Sequence, residues 1–176
     1  MTTVRNTNTE INSCEVEMSN FSVDELLNTC KGLLPPAKEA GACLQLICDS
    51  LKEQVPHYDW VGFYFAVPEQ RLLVLGPFSG APTEHTQILY GRGICGQSAA
   101  TERTLVVPDV SAESNYLSCS LQTRAEYVEP IILNGVYVGQ IDIDSHTKDP
   151  FSDKDAFLLS GVASMVAPLV NQVFSP

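Results

Sequence analysis

Apolar positions recur with a helical period near both ends of the chain and give way to aromatic and β-branched runs between them. Residues 1–20 are polar, rich in Thr, Asn and Ser, and carry no period, which predicts a loose arm ahead of a single domain over 21–176. Ser22 followed three residues later by Glu25 makes a capping box, and Phe21 before the cap can pack on Leu26 as a hydrophobic staple. A helix therefore starts here and must stop before Pro35 and Pro36. Ala40, Cys43, Leu44, Ile47, Leu51 and Val55 form one apolar stripe, predicting a second helix over about 37–55. The pattern then changes. The run from Trp60 to Ala66 reads as a strand, 68–70 as a turn, 71–75 as a second strand and 104–107 as a short third. Two further strand-like runs, 127–133 and 136–144, flank Asn134-Gly135, the preferred two-residue hairpin turn because both positions take positive φ. Ser152 with Asp155 opens a last helix to about Val173, whose apolar face is Leu158, Val162, Met165, Val166, Leu169 and Val173. Pro168 predicts a kink or a split in it. Strand pairs joined by short turns, with helices at both ends, predict an α+β domain with helices packed on one face of an antiparallel sheet. Residues 76–126 are the long irregular part, where function is often carried.

Composition narrows the function. At 176 residues and 44% apolar, the chain can bury one domain's core. Its net charge of −11 argues against a nucleic-acid partner, which needs basic patches. No uninterrupted apolar run reaches the roughly 18 residues of a membrane span, and no basic then apolar leader follows Met1, so no membrane partner is expected and the expected compartment is the cytoplasm. Six cysteines in a reducing compartment are read as thiols. Neither they nor the three histidines have metal-ligand spacing, so no metal and no cofactor are expected. Cys43 and Cys48 fall on a helix stripe and read as packing residues.

The candidate chemistry lies in acids and two thiols. In the run 136–144, Gln140, Asp142 and Asp144 share one face and Ile141 and Ile143 the other, with the two carboxylates about 7 Å apart along the strand. The Asn134-Gly135 turn brings Glu126 roughly opposite Asp144. Three acids then converge either as a solvated sheet edge or as a pocket for an ammonium group or metal, or as a site where one acid stays protonated. Cys95 lies in Gly91-Arg-Gly-Ile-Cys-Gly96, read as a glycine-rich loop ahead of a helix over 97–101, where a thiol's pKa can fall. Cys119 lies in a polar, loop-like stretch.

Trp60-Val-Gly-Phe-Tyr64, Leu75-Gly-Pro-Phe-x-Gly80, Gly91-Arg-Gly-Ile-Cys-Gly96, Pro108-Asp-Val110, Cys119, Ala125-Glu126 and Ile141-Asp-Ile-Asp-Ser145 together resemble the free methionine-(R)-sulfoxide reductases, a GAF-domain family. The resemblance runs from about Asp59 to Phe157 and implies a GAF-like fold: a six-stranded antiparallel sheet flanked by N- and C-terminal helices, often in a homodimer. It implies that free methionine sulfoxide is the substrate, Cys119 the catalytic cysteine and Cys95 the resolving one. It further implies that Glu126, Asp142 and Asp144 are the acids of the substrate pocket, that Trp60 and Tyr64 are its aromatic wall, and that thioredoxin is the reductant. The chain departs from the family pattern in the loop Ala81-Pro-Thr-Glu-His85, which lacks a further cysteine, and at Ser120, Ala125 and Glu129. Two other readings compete: a GAF module that senses a small molecule without chemistry, and an interaction protein with inert thiols.

Overall fold

A computed structural model describes residues 21–34, 39–113 and 122–174. The predicted arm and Cys119 lie outside these residues. Helix α1 (Val23–Gly32) starts where its cap predicts, with the Glu25 N–H donating to Ser22 Oγ at 3.4 Å, and buries Leu26 and Cys30. Helix α2 (Ala40–Gln54) buries Cys43, Leu44, Ile47, Cys48 and Leu51, so the two helical cysteines are core residues.

Six strands follow: β1 (Trp60–Val67), β2 (Leu72–Ser79), β3 (Gln87–Leu89), β4 (Leu105–Val107), β5 (Ala125–Leu133) and β6 (Val136–Ser145). They form one sheet in the order β3-β2-β1-β6-β5-β4, with every neighbouring pair antiparallel. The β5–β6 hairpin turns at Asn134 and Gly135, with φ of 52° and 80°, the doubly positive turn that the dipeptide favours. The register that results sets Glu126 opposite Asp144 and Val128 opposite Asp142. On its other side β6 pairs with β1, setting Trp60 opposite Asp144 and Gly62 opposite Asp142. The strand carrying the paired aspartates is therefore central and not an edge.

The sheet has two differently covered faces. Val61, Phe63, Phe65, Tyr127, Ile131, Ile141 and Ile143 pack against α1, α2 and the last helix, α4 (Asp153–Phe174), in the larger core. Ile141 and Ile143 are fully buried there, each contributing about 1.5–3 kcal/mol of transfer free energy. The opposite face carries Trp60, Tyr64, Ala66 and Val128 beneath Ile94, Cys95 and Ala99 of helix α3 (Gly93–Thr101).

Several expectations are corrected. The irregular stretch contains β3 and α3, and α3 begins at Gly93, so Cys95 is a first-turn helix residue and not a loop residue. The glycines that made 91–96 look like a loop include Gly91 and Gly93, both at positive φ, which turn the chain into the helix. Strand β2 extends to Ser79. Of the kink or split expected at Pro168, the split is absent: helix α4 runs as one element through it. Pro168 is exposed, and the carbonyl it leaves without an N–H is that of Ser164, on the same exposed side, while Val166, Ala167 and Val170 hold the buried side to the sheet. By length and composition α4 also passes as a membrane span, yet its apolar side is a core face here. Its first turn is fixed by Asp155, which accepts from the Ser152 N–H and hydroxyl at 2.8 Å each and lies 2.7 Å from His57 Nε2.

Candidate active site

Alternation along β6 places Gln140, Asp142 and Asp144 on the face away from α1, α2 and α4, and the β5 register brings Glu126 to the same face. The expected alternative of a solvated sheet edge does not hold: Asp142 is 0% exposed and Glu126 and Asp144 are each 2% exposed. Among the described residues, no N–H or O–H donor reaches either oxygen of Asp142 or of Asp144. Carboxylates so placed resist ionisation. Burial, then the charges of Asp142 and Asp144, push Glu126 well above the usual carboxyl range, with a hydrogen bond from the Cys95 thiol pulling it part of the way back. Burial lifts Asp142 to about 7 against the same thiol's lowering effect. Asp144 is raised by burial first and then by Asp142 and Asp59. The cluster is thus built to take up positive charge, either as protons or as a cationic ligand.

Cys95 sits in the third helical position of α3, 4% exposed, pointing at these acids. Its sulfur and one oxygen each from Glu126 and Asp142 lie within 4.8 Å of one another. Cys119 lies outside the described residues, so its pairing with Cys95 stays an expectation.

The aromatic wall forms at the start of β1. Trp60 stacks on Phe78 of β2 with ring centroids 5.5 Å apart and planes 19° apart, and lies 6.4 Å from Tyr64. Its indole N–H donates to the Ala81 carbonyl at 3.0 Å, and the Tyr64 hydroxyl donates to the His85 carbonyl at 2.8 Å. Both aromatics therefore anchor the 81–85 loop. Gly62 leaves the room for this: a Cβ there would sit 2.2 Å from the Trp60 ring.

A cavity of about 440 Å³ opens at this end of the sheet, lined by Trp60, Gly80, Thr123, Asp144, Lys52 and His146 among others. Sequence reasoning missed Lys52, Thr123 and His146. Lys52 lies off the apolar stripe of α2, so only the tertiary fold reveals it. His146 is held by Asp59, whose carboxylate accepts its backbone N–H at 2.7 Å. Glu129 lies on the helix-side face with Tyr127, accepting from the Thr104 hydroxyl at 2.8 Å, and takes no part in the cluster. Pro108-Asp-Val110 is structural: Asp109 accepts from Lys148 Nζ at 2.5 Å and from the Ser111 N–H at 3.1 Å.

This arrangement has close counterparts. Residues 39–169 match the GAF domain family. The free methionine-R-sulfoxide reductase of Saccharomyces cerevisiae is 36% identical over 69% of this chain and 68% of its own. The solved type II free methionine-R-sulfoxide reductase of Thermoplasma acidophilum is 39% identical, with a TM-score of 0.72 over 76% of this chain and 93% of its own. That of Neisseria meningitidis, solved in complex with its substrate, is 32% identical, with a TM-score of 0.78 over 86% of this chain and 94% of its own. The chain belongs to the free methionine-(R)-sulfoxide reductase family of GAF domains. Six of the seven residues singled out from the sequence, Trp60, Tyr64, Cys95, Glu126, Asp142 and Asp144, come together on one face of its sheet.

Proposed function

We propose that this protein reduces free L-methionine-(R)-sulfoxide to methionine, with Cys119 as nucleophile and Cys95 as resolving thiol. The observation that carries the reading is the buried trio Glu126, Asp142 and Asp144 beside the Cys95 thiol. A sensing module needs no thiol against its carboxylates, and the family relationship adds support to the enzyme. The substrate ammonium enters the acid cluster and supplies the cation that its buried carboxylates lack. The sulfoxide methyl group packs against Trp60. Gln122, which lines the cavity, follows Cys119 by three positions in the chain.

The Cys119 thiolate attacks the sulfoxide sulfur while a carboxylic acid of the cluster protonates the departing oxygen; a group held protonated near neutrality by burial and like charge suits that task. The protonated oxygen passes as hydroxyl from the substrate sulfur to the Cys119 sulfur as the transient sulfur–sulfur bond breaks, so methionine leaves and Cys119 becomes a sulfenic acid. The Cys95 sulfur displaces its hydroxyl as water, giving a Cys95–Cys119 disulfide, and a dithiol such as thioredoxin reopens it by exchange. The cytoplasm supplies such a reductant. A homodimer is part of the same reading.

The test is a single-turnover experiment without external reductant. One equivalent of free methionine-(R)-sulfoxide added to reduced protein should yield one equivalent of methionine and a tryptic species joining Cys95 to Cys119. Methionine formation by Cys119→Ser, or a disulfide from Cys119 to Cys14, would reassign the thiols.

A further inference from the structure

We propose that Cys95, Glu126 and Asp142 form an inhibitory site for a thiophilic divalent ion of the zinc class, filled when substrate is absent. The three donors, one sulfur and one oxygen from each acid, lie within 4.8 Å of one another at a place that is 4%, 2% and 0% exposed. A tetrahedral ion with bonds of about 2.0–2.3 Å asks for ligand atoms roughly 3.3–3.7 Å apart. Glu126, with three side-chain torsions, supplies most of the contraction. A second observation points to a cation: Asp144, two residues along the same strand face and 2% exposed, has both carboxylate oxygens buried with no donor among the described residues. A carboxylate buried unpaired is costly, and an ion two ångströms from Asp142 relieves both acids.

The donor set chooses the ion. Calcium and magnesium ask for six or more oxygens, whereas one thiolate and two carboxylates leave a single open position on a four-coordinate ion. Binding converts the Cys95 thiol to thiolate and releases its proton, together with any proton held on the two acids, so affinity rises with pH. The bound ion takes the carboxylates that receive the substrate ammonium and ties up the resolving sulfur, so ion and substrate exclude each other. That competition rests on the amino-acid reading of the cavity; the binding itself does not.

Cobalt(II) is the probe. Reduced full-length protein should bind one Co²⁺ with a thiolate-to-cobalt charge-transfer band, and Zn²⁺ should erase the band by displacement. Asp142→Asn should weaken binding more than about tenfold, since a direct ligand matters at least as much as the outer partners that cost 10–100-fold. Cys95→Ser should abolish the band, while Cys119→Ser and the exposed control Asp149→Asn should keep it. Absence of the band in the wild type, its survival in Cys95→Ser, or its loss in Cys119→Ser overturns the site. Zinc affinity that stays flat between about pH 6 and pH 8 overturns it without any variant. Free methionine-(R)-sulfoxide added to Cys119→Ser should expel the ion. Retention of a correctly bound ion would overturn the inhibitory role and count against the amino-acid reading, while the ion site itself would stand.

Discussion

Replacing Asp142 by asparagine should shift the stability of the reduced, ligand-free protein increasingly in the variant's favour as pH rises. The folded protein lifts Asp142 from 3.8 to about 7 by burial. Between those values the unfolded chain releases a proton that the folded one retains, so folding loses about 1.4 kcal/mol for each pH unit climbed. No penalty exists below the unfolded pKa, and the full one is present above the folded pKa. From pH 4.5 to pH 8 the penalty grows by about 3 kcal/mol. Asparagine never ionises and also lightens the negative charge felt by Glu126 and Asp144. Against this, its amide is a buried polar group that costs about 1–3 kcal/mol wherever it lacks a partner. The net expectation is a neutral or slightly destabilised variant at pH 4.5 and one more stable than wild type at pH 8. At roughly 2–4 °C per kcal/mol the two melting curves should move apart by several degrees between these conditions. Urea unfolding of both proteins at the two pH values, with thiols kept reduced, measures it. A difference between variant and wild type that is the same at both pH values would refute the claim that burial raises the Asp142 carboxyl.

Gly62→Ala should drive the Trp60 ring off the strand, because the new Cβ would sit 2.2 Å from it; the fluorescence of this single tryptophan should change and KM should rise, with a stability cost of about 1–3 kcal/mol. Gly139→Ala should lower the unfolding free energy measured in urea by about 1–3 kcal/mol without touching the cavity, since its Cβ would meet the Tyr64 carbonyl oxygen at 2.4 Å between two central strands. Cys95→Ser should form about one equivalent of methionine and then stall until a small thiol is supplied, a burst visible by quenched-flow product analysis.

Local signals carried much of this fold into the sequence. Ser22 with Glu25, and Asn134 with Gly135, each satisfy a geometric need that few other residues meet, and both features stand where expected. Period-two alternation put Asp142 and Asp144 on one face, and the hairpin turn put Glu126 opposite Asp144. Whether that face was wet depended on what packs over it, which alternation does not encode: Ile94, Cys95 and Ala99 of α3 lie on that face. The start of α3 was hidden because Gly91, Gly93 and Gly96 carry no period and read as a loop, although Gly96 is needed there by close approach to the Leu89 carbonyl. Pro168 does not split α4, because Val166, Ala167 and Val170 hold its buried side in the core. Lys52 reached the cavity through tertiary structure alone.

Steady-state turnover of the purified, reduced protein with a thioredoxin system bears most directly on the proposed chemistry. Free methionine-(R)-sulfoxide should be reduced, while the (S) epimer and a peptide-bound (R)-sulfoxide, whose amine is acylated and cannot bring an ammonium to Glu126, Asp142 and Asp144, should be poor substrates. Asp144→Asn should lose most of the activity on the free (R) epimer and Asp149→Asn should keep it. Equal turnover of free and peptide-bound sulfoxide, or full activity in Asp144→Asn, would contradict the assignment of the buried acids as the amino-acid site.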